Sequence, residues 1–113
     1  MPTASPSFPR PLITKHARFS AADRELLAGR RHPHTRLGLA YQIAFVRVAG
    51  RLPKQKPFEV APELLRYVAG RLDLDTDLIE RYAERQPTVS SHADLAAGHL
   101  GYRPFDGAER RRL

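Results

Sequence analysis

Six side chains able to grip an anion fall close together near the C-terminal end of the sequence: Arg85, Thr88, Ser90, Ser91, His92 and, after a Gly-Tyr pair, Arg103. The guanidinium groups of Arg85 and Arg103 carry a fixed charge and a fork of donors suited to phosphate oxygens, and hydroxyls and an imidazole can donate to phosphates or to base edges. His92 fits a second role equally well, at the edge of a core with a bond to backbone or to Thr88. A further group of cations, Arg36, Arg47, Arg51, Lys54 and Lys56, lies earlier in the chain. Arg47 and its neighbour Gln42 are polar residues on a mostly apolar helix, where packing or hydrogen-bond anchors are common. Arg47 could also emerge on a basic face with Arg51, Lys54 and Lys56.

Other chemistries find little footing. The seven glycines fall singly, so there is no Gly-rich phosphate loop, and no Ser-x-Gly elbow is present. The acids are spread over prospective helix caps and faces and do not cluster as a two-metal site requires. His32 and His34 form a His-x-His pair, but no carboxylate or third imidazole stands at ligand spacing, so a turn is expected there. No catalytic residue, metal or cofactor is therefore assigned, and the chain is not expected to be an enzyme.

A length of 113 residues with 42% hydrophobic content fits one domain with a modest core. Cysteine is absent, which removes disulfides and thiolate metal sites and fits a cytoplasmic setting. The longest apolar-rich run, 37–50, is too short and interrupted to span a bilayer. The net charge is +7, and it is unevenly placed: residues 1–57 carry a net +9, residues 58–100 a net −4 and residues 101–113 a net +2. That split predicts a basic face backed by an acidic helical layer, and points to a polyanionic partner.

These side chains must be carried by helices, because no segment alternates β-branched and polar residues as a strand would. Residues 1–18, with four prolines and the cations Arg10, Lys15 and Arg18, read as a flexible, extended basic arm. Ser20 and Asp23 form a capping-box variant opening a short helix that ends near Gly29. Thr35 is expected to cap the strongest helix, RLGLAYQIAFVRVAG, apolar on most of its circumference and so central to a bundle. After a proline-bounded basic loop, Pro62 opens a helix with Leu64, Leu65, Val68 and Leu72 as its buried stripe. Asp75 is expected to cap the next, and Ser91 with Asp94 to form a second capping box. The reading is an all-α bundle of about five helices over residues 19–105, with a helix-turn-helix-like pair at about 75–85 and 90–100. Asp106 and Glu109 begin a further helix that the chain does not complete, which suggests a truncation.

Three segments together carry a resemblance: RLGLAYQIAFVRVAGRL, with Gln42 and Arg47; EVAPELLRYVAGRLDLDTDLIERYAER; and the series Arg85, Thr88, His92, Gly101, Tyr102, Arg103. Over residues 17–113 the chain resembles the N-terminal region of transposases of the Tn-three family, the replicative class II bacterial transposons. The resemblance implies a domain that binds double-stranded DNA at the terminal inverted repeats, without the family's downstream catalytic carboxylates, in the bacterial cytoplasm and nucleoid. It leaves a homodimer or a full-length transposase as further partners. The alternative is a protein-interaction or regulatory fragment that pairs with a transposase or with itself. In a helix-turn-helix the second helix would present Ser90, Ser91 and His92 with Thr88 in the turn. The segment SHADLAAGHL carries no Arg, Lys, Asn or Gln for bidentate base readout. Phosphate contacts from the basic half and from Arg85 and Arg103 are therefore expected to supply most of the affinity.

Overall fold

The computed structural model describes residues 8–54 and 58–101. Six helices follow in order: α1 (Arg10–His16), α2 (Ala21–Ala28), α3 (Pro33–Ala49), α4 (Pro62–Leu72), α5 (Leu78–Ala83) and α6 (Gln86–Leu100). The all-α fold is the one the sequence patterning indicates. Helix α3 is its axis: every residue from Leu37 to Val46 is buried, and the other five helices all pack against it. An apolar helix with so narrow a polar strip is stable only when wrapped in this way. Gly50, at φ +78°, ends it in the left-handed conformation that glycine tolerates best.

Tyr41 and Tyr82 are fully buried, and each phenol finds partners. Tyr41 donates to the Glu59 carbonyl at 2.9 Å and accepts from the Ala61 N–H at 2.8 Å, tying the loop before α4 onto α3. Phe58 stands between the two tyrosines, its ring centroid 5.6 Å from each. Burial pushes both phenol pKa values up, so neither ionises at physiological pH.

The Ser20–Asp23 capping box forms as expected, with Ser20 N–H donating to Asp23 at 2.7 Å and Asp23 N–H to the Ser20 hydroxyl at 3.2 Å. Asp23 has a larger role than a cap. Its fully buried carboxylate accepts both terminal nitrogens of Arg47 from α3, and faces His99 Nε2 of α6 at 2.7 Å, so one side chain joins three helices.

Four local expectations change. Residues 10–16, read as extended, form α1, because Pro11 sits in its first turn, where no N–H is missed, and Ile13 and the following Ala17 bury against the core. Helix α3 starts at Pro33 with His32 as N-cap; Thr35 lies inside it and its hydroxyl donates to the His32 carbonyl at 2.8 Å. Helix α6 starts at Gln86, again with a proline in the first turn, so Ser91 and Asp94 lie inside a helix and cap nothing. Asp75 accepts the Asp77 N–H in a turn, and Asp77 is the N-cap of α5. The prolines set these starts: a fixed φ and the lack of an N–H suit the first helical turn better than they suit a linker. The start of a helix at Asp106 and Glu109 lies outside the described residues.

Candidate nucleic-acid interface

The α5–α6 joint meets α3 at that helix's N-terminal end. Only Glu84 and Arg85 separate α5 from α6, so Arg85 is the N-cap of α6 and Thr88 lies in its first turn. Pro33 brings His32 and His34 to the start of α3 opposite them. The result is a cleft of about 670 Å³ lined by His32, His34, Thr35, Arg81, Glu84, Arg85 and Thr88, with Leu78 and Tyr82 also in its wall. The His32 and His34 rings stack at 5.6 Å. Partial burial lowers the His34 pKa, and the positive charges of Arg81, His32 and Arg85 lower it further, so four cationic or potentially cationic groups share one electrostatic environment. Among the described residues no carboxylate forms an ion pair with Arg30, Arg31, Arg81 or Arg85.

The residues singled out in the sequence divide between two ends of α3. Arg85 and Thr88 line the cleft, exposed and half-buried respectively, and the exposed Ser90 and Ser91 follow them on α6. Arg36 is half-buried near the same end and donates to the Arg30 carbonyl at 3.2 Å. Arg47, Arg51 and Lys54 lie at or beyond the other end, roughly 20 Å along the axis from Pro33 at 1.5 Å per residue. There acids engage them. Arg47 is held by Asp23 and donates to the Arg18 carbonyl at 2.8 Å. Arg51 forms a bidentate pair with Glu59, both bonds 2.8 Å, and lies over the Phe45 ring at 5.1 Å. The Lys54 N–H bonds the same carboxylate at 2.9 Å, and its charge adds to the pull that holds Glu59 at about 2. Lys56 and Arg103 lie outside the described residues.

His92 is buried, with 5% of its surface exposed, and belongs to a hydrogen-bonded relay. Gln42 Nε2 donates to the Val89 carbonyl at 3.1 Å and to the Tyr82 hydroxyl at 2.7 Å, and that hydroxyl meets His92 Nδ1 at 3.0 Å. Gln42 is thus an anchor of the core, as one of its two readings held. Burial, with the charge of Arg30 behind it, lowers the His92 pKa to about 4 and keeps the ring neutral. The sequence analysis did not single out Arg81, Arg30 or Arg31, and it read His34 only as part of a turn. Pro33 was the available signal for His34, since a proline at a first helical position puts its neighbours on a helix end, and the four-residue spacing of Arg81 and Arg85 was the signal for that pair.

The chain is thus an all-helical bundle whose cleft gathers two arginines, two histidines and two threonines with one carboxylate, Glu84. The chain, over residues 3–113, matches the family described as "Domain of unknown function (DUF4158)", and it belongs to that family. It is also 30% identical over 95 residues to the transposase for transposon Tn3926 and, to the same extent, to the transposase for transposon Tn21, both of Escherichia coli. It is 29% identical over 94 residues to the transposase for transposon gamma-delta of Escherichia coli strain K12. Each match takes in 82% of this chain and 9% of the transposase, so the chain spans about a tenth of the length of these relatives. They bear out the resemblance to Tn-three family transposases drawn from the sequence motifs. No solved structure matches the chain. Among the described residues no helix is long and apolar enough to cross a membrane, and no group of three acidic or histidine side chains could hold a metal ion.

Proposed function

We propose that this chain binds double-stranded DNA at transposon ends, as the end-recognising part of a transposase, and that it does so through the cleft between the start of α3 and the α5–α6 joint. The observation that carries the reading is the contrast between the two ends of α3. Arg47 and Arg51 are neutralised by Asp23 and Glu59, whereas Arg81 and Arg85 have no carboxylate pair among the described residues and face a cleft with His32, His34 and Thr88. A polyanionic backbone is the partner that such a set favours. The similarity to transposases supplies the kind of DNA, and a place with the bacterial nucleoid follows from it. Phosphate contact dominates this mode of binding, because α6 offers hydroxyls at Thr88, Ser90 and Ser91 and, beyond Gln86, whose amide donates to the Ala83 carbonyl at 3.3 Å, no long amide or cationic side chain to read a base edge.

The test is affinity for a duplex carrying a terminal inverted repeat and for a shuffled duplex, measured across a salt series. Binding through two to four phosphates gives a log–log slope of roughly −2 to −4. Absence of binding to either duplex at low salt, with self-association or capture of a transposase instead, would replace this reading with that of an interaction module.

A further inference from the structure

Beside the main cleft, and sharing Thr35 with it, lies a second cavity of about 310 Å³ lined by Gly29, Arg30, Arg31, Thr35 and His92. It sits where the α2–α3 turn meets α6. Three features of its wall converge on one ligand chemistry.

The first is the tautomer of His92. The Val89 carbonyl can only accept, so the amide of Gln42 must point its NH₂ group that way, and the same nitrogen donates to the Tyr82 hydroxyl. The Tyr82 proton then has His92 Nδ1 as its acceptor. A neutral ring accepting at Nδ1 carries its hydrogen on Nε2. The buried relay from Val89 through Gln42 and Tyr82 therefore fixes His92 as an Nε2–H donor.

The second is charge. Arg30 and Arg31 line the same cavity without a carboxylate pair among the described residues, and the Arg30 Nε–H is buried with no hydrogen-bond partner. A buried donor left unpaired is costly, and an acceptor entering beside it offsets that cost. The third is the start of α3. Its N-cap, His32, makes no side-chain cap, and Thr35 uses its hydroxyl hydrogen on the His32 carbonyl, so the helix terminus offers partial positive charge toward the same region.

We infer that this cavity takes one phosphate group of the DNA backbone, with the His92 Nε2–H as its neutral donor, Arg30 and Arg31 as its charges, and Tyr82 and Gln42 as positioning residues that hold the His92 tautomer. The inference rests on the DNA-binding reading and adds to it a site outside the main cleft. It also gives a reason for a buried histidine in this position: a neutral donor fixed from behind loses little entropy on binding and brings no charge of its own into the core.

The experiment uses the whole chain and a mixed-sequence duplex. In ¹⁵N spectra His92 should show a protonated Nε2 and an unprotonated Nδ1 before any duplex is added, and the Nε2–H signal should move when duplex is added. Arg31→Ala should lower the magnitude of the salt slope by about 0.9, the loss of one phosphate contact. His92→Gln should weaken binding about fivefold, the range of one neutral hydrogen bond, and leave the slope unchanged because no charge is lost. Tyr82→Phe should turn the two His92 nitrogens into a tautomeric mixture and weaken binding. Duplex binding that leaves the His92 ring signals still and is as strong in Arg31→Ala as in the parent chain, while Arg85→Ala weakens it, overturns the pocket and leaves the DNA reading standing. Absence of duplex binding by the parent chain at low salt overturns both. Inorganic phosphate added alone distinguishes the sources: a His92 response to phosphate with none to duplex reassigns the site to a free anion and overturns the inference.

Discussion

Gly38 and Tyr82 fit each other as gap and ring: a Cβ built on Gly38 would stand 2.2 Å from the Tyr82 Cδ1 and Cε1 atoms, inside any contact real side chains make. The missing side chain on α3 is what lets α5 lay its tyrosine against the central helix, with the hydroxyl beside Gln42 and His92. The relay, and through it the orientation of His92, starts from that close approach.

Gly38→Ala should therefore destabilise the fold by about 2–3 kcal/mol, as overpacking of a dense core does. The sign makes the test sharp, because in an open helix position the same change would stabilise by roughly 1 kcal/mol. Urea unfolding followed by circular dichroism reads the difference. A stabilised variant would show that the ring does not occupy the gap.

Asp23 joins α2, α3 and α6, and its loss should be among the most costly single changes in the chain. Burial pushes its carboxyl pKa up, but Arg47, the Ser20 N–H and His99 outweigh that and hold it well below the ordinary 3.8. A carboxyl depressed in the folded state contributes stability that is present above its unfolded value and lost as pH falls through the folded one. Acid unfolding should thus steepen below about pH 4 in the parent chain. Asp23→Asn should lose that steepening and, by leaving Arg47 unmatched, about 3–5 kcal/mol at neutral pH. Unfolding free energies across pH 2–7 check both.

Much of the fold was legible before any coordinates, and the residues show why. The apolar circumference of 37–46 can only be a central helix, and Ser20 with Asp23 is a local signal that needs no tertiary context. The helix starts were less legible, because Pro33 and Pro87 read as breakers in isolation and as first-turn residues once helices pack on both sides. The types of Arg85, Thr88 and His92 marked them as candidates, and the structure sets Arg85 and Thr88 on the cleft and His92 in the buried relay. It was not legible at Arg47 and Arg51: a cation in sequence carries no mark of the acid that will neutralise it, and Asp23 and Glu59 stand 24 and 8 residues away. Nor could spacing show that His34 and Arg81 meet, since 46 residues, with the whole of α4 among them, lie between them.

Arginines at the two ends of α3 should respond in opposite ways to truncation. Arg85→Ala should weaken duplex binding roughly fivefold at low salt and reduce the slope by about 0.9, with stability changed by less than about 0.5 kcal/mol. Arg47→Ala should cost about 3 kcal/mol of stability by taking the guanidinium from the buried Asp23 carboxylate and leaving it only His99 and the Ser20 N–H, while the folded fraction binds duplex as before. Arg51→Ala, at an exposed pair, should change stability by under about 1 kcal/mol. Paired unfolding and anisotropy titrations on the three variants separate the roles.

The pH dependence of binding should run opposite to that of folding. In the free chain burial and the charges of Arg81, His32 and Arg85 lower the His34 pKa from the ordinary 6.5, with Glu84 the acid in the same lining. A histidine depressed in the folded state stabilises fully above its unfolded value, so the free chain should lose stability as pH falls below 6.5. Phosphates in the cleft reverse the local field: they offset the guanidinium charges, favour the protonated ring and bind it. Duplex affinity should therefore rise as pH falls from 7.5 to 5.5. His34→Gln should flatten that rise and remove part of the acid sensitivity of folding, the remainder down to about 4 belonging to His92. Binding titrations at several pH values, with parent and variant side by side, give the answer; a rise that survives in His34→Gln would assign the proton uptake to another group and take His34 out of the interface.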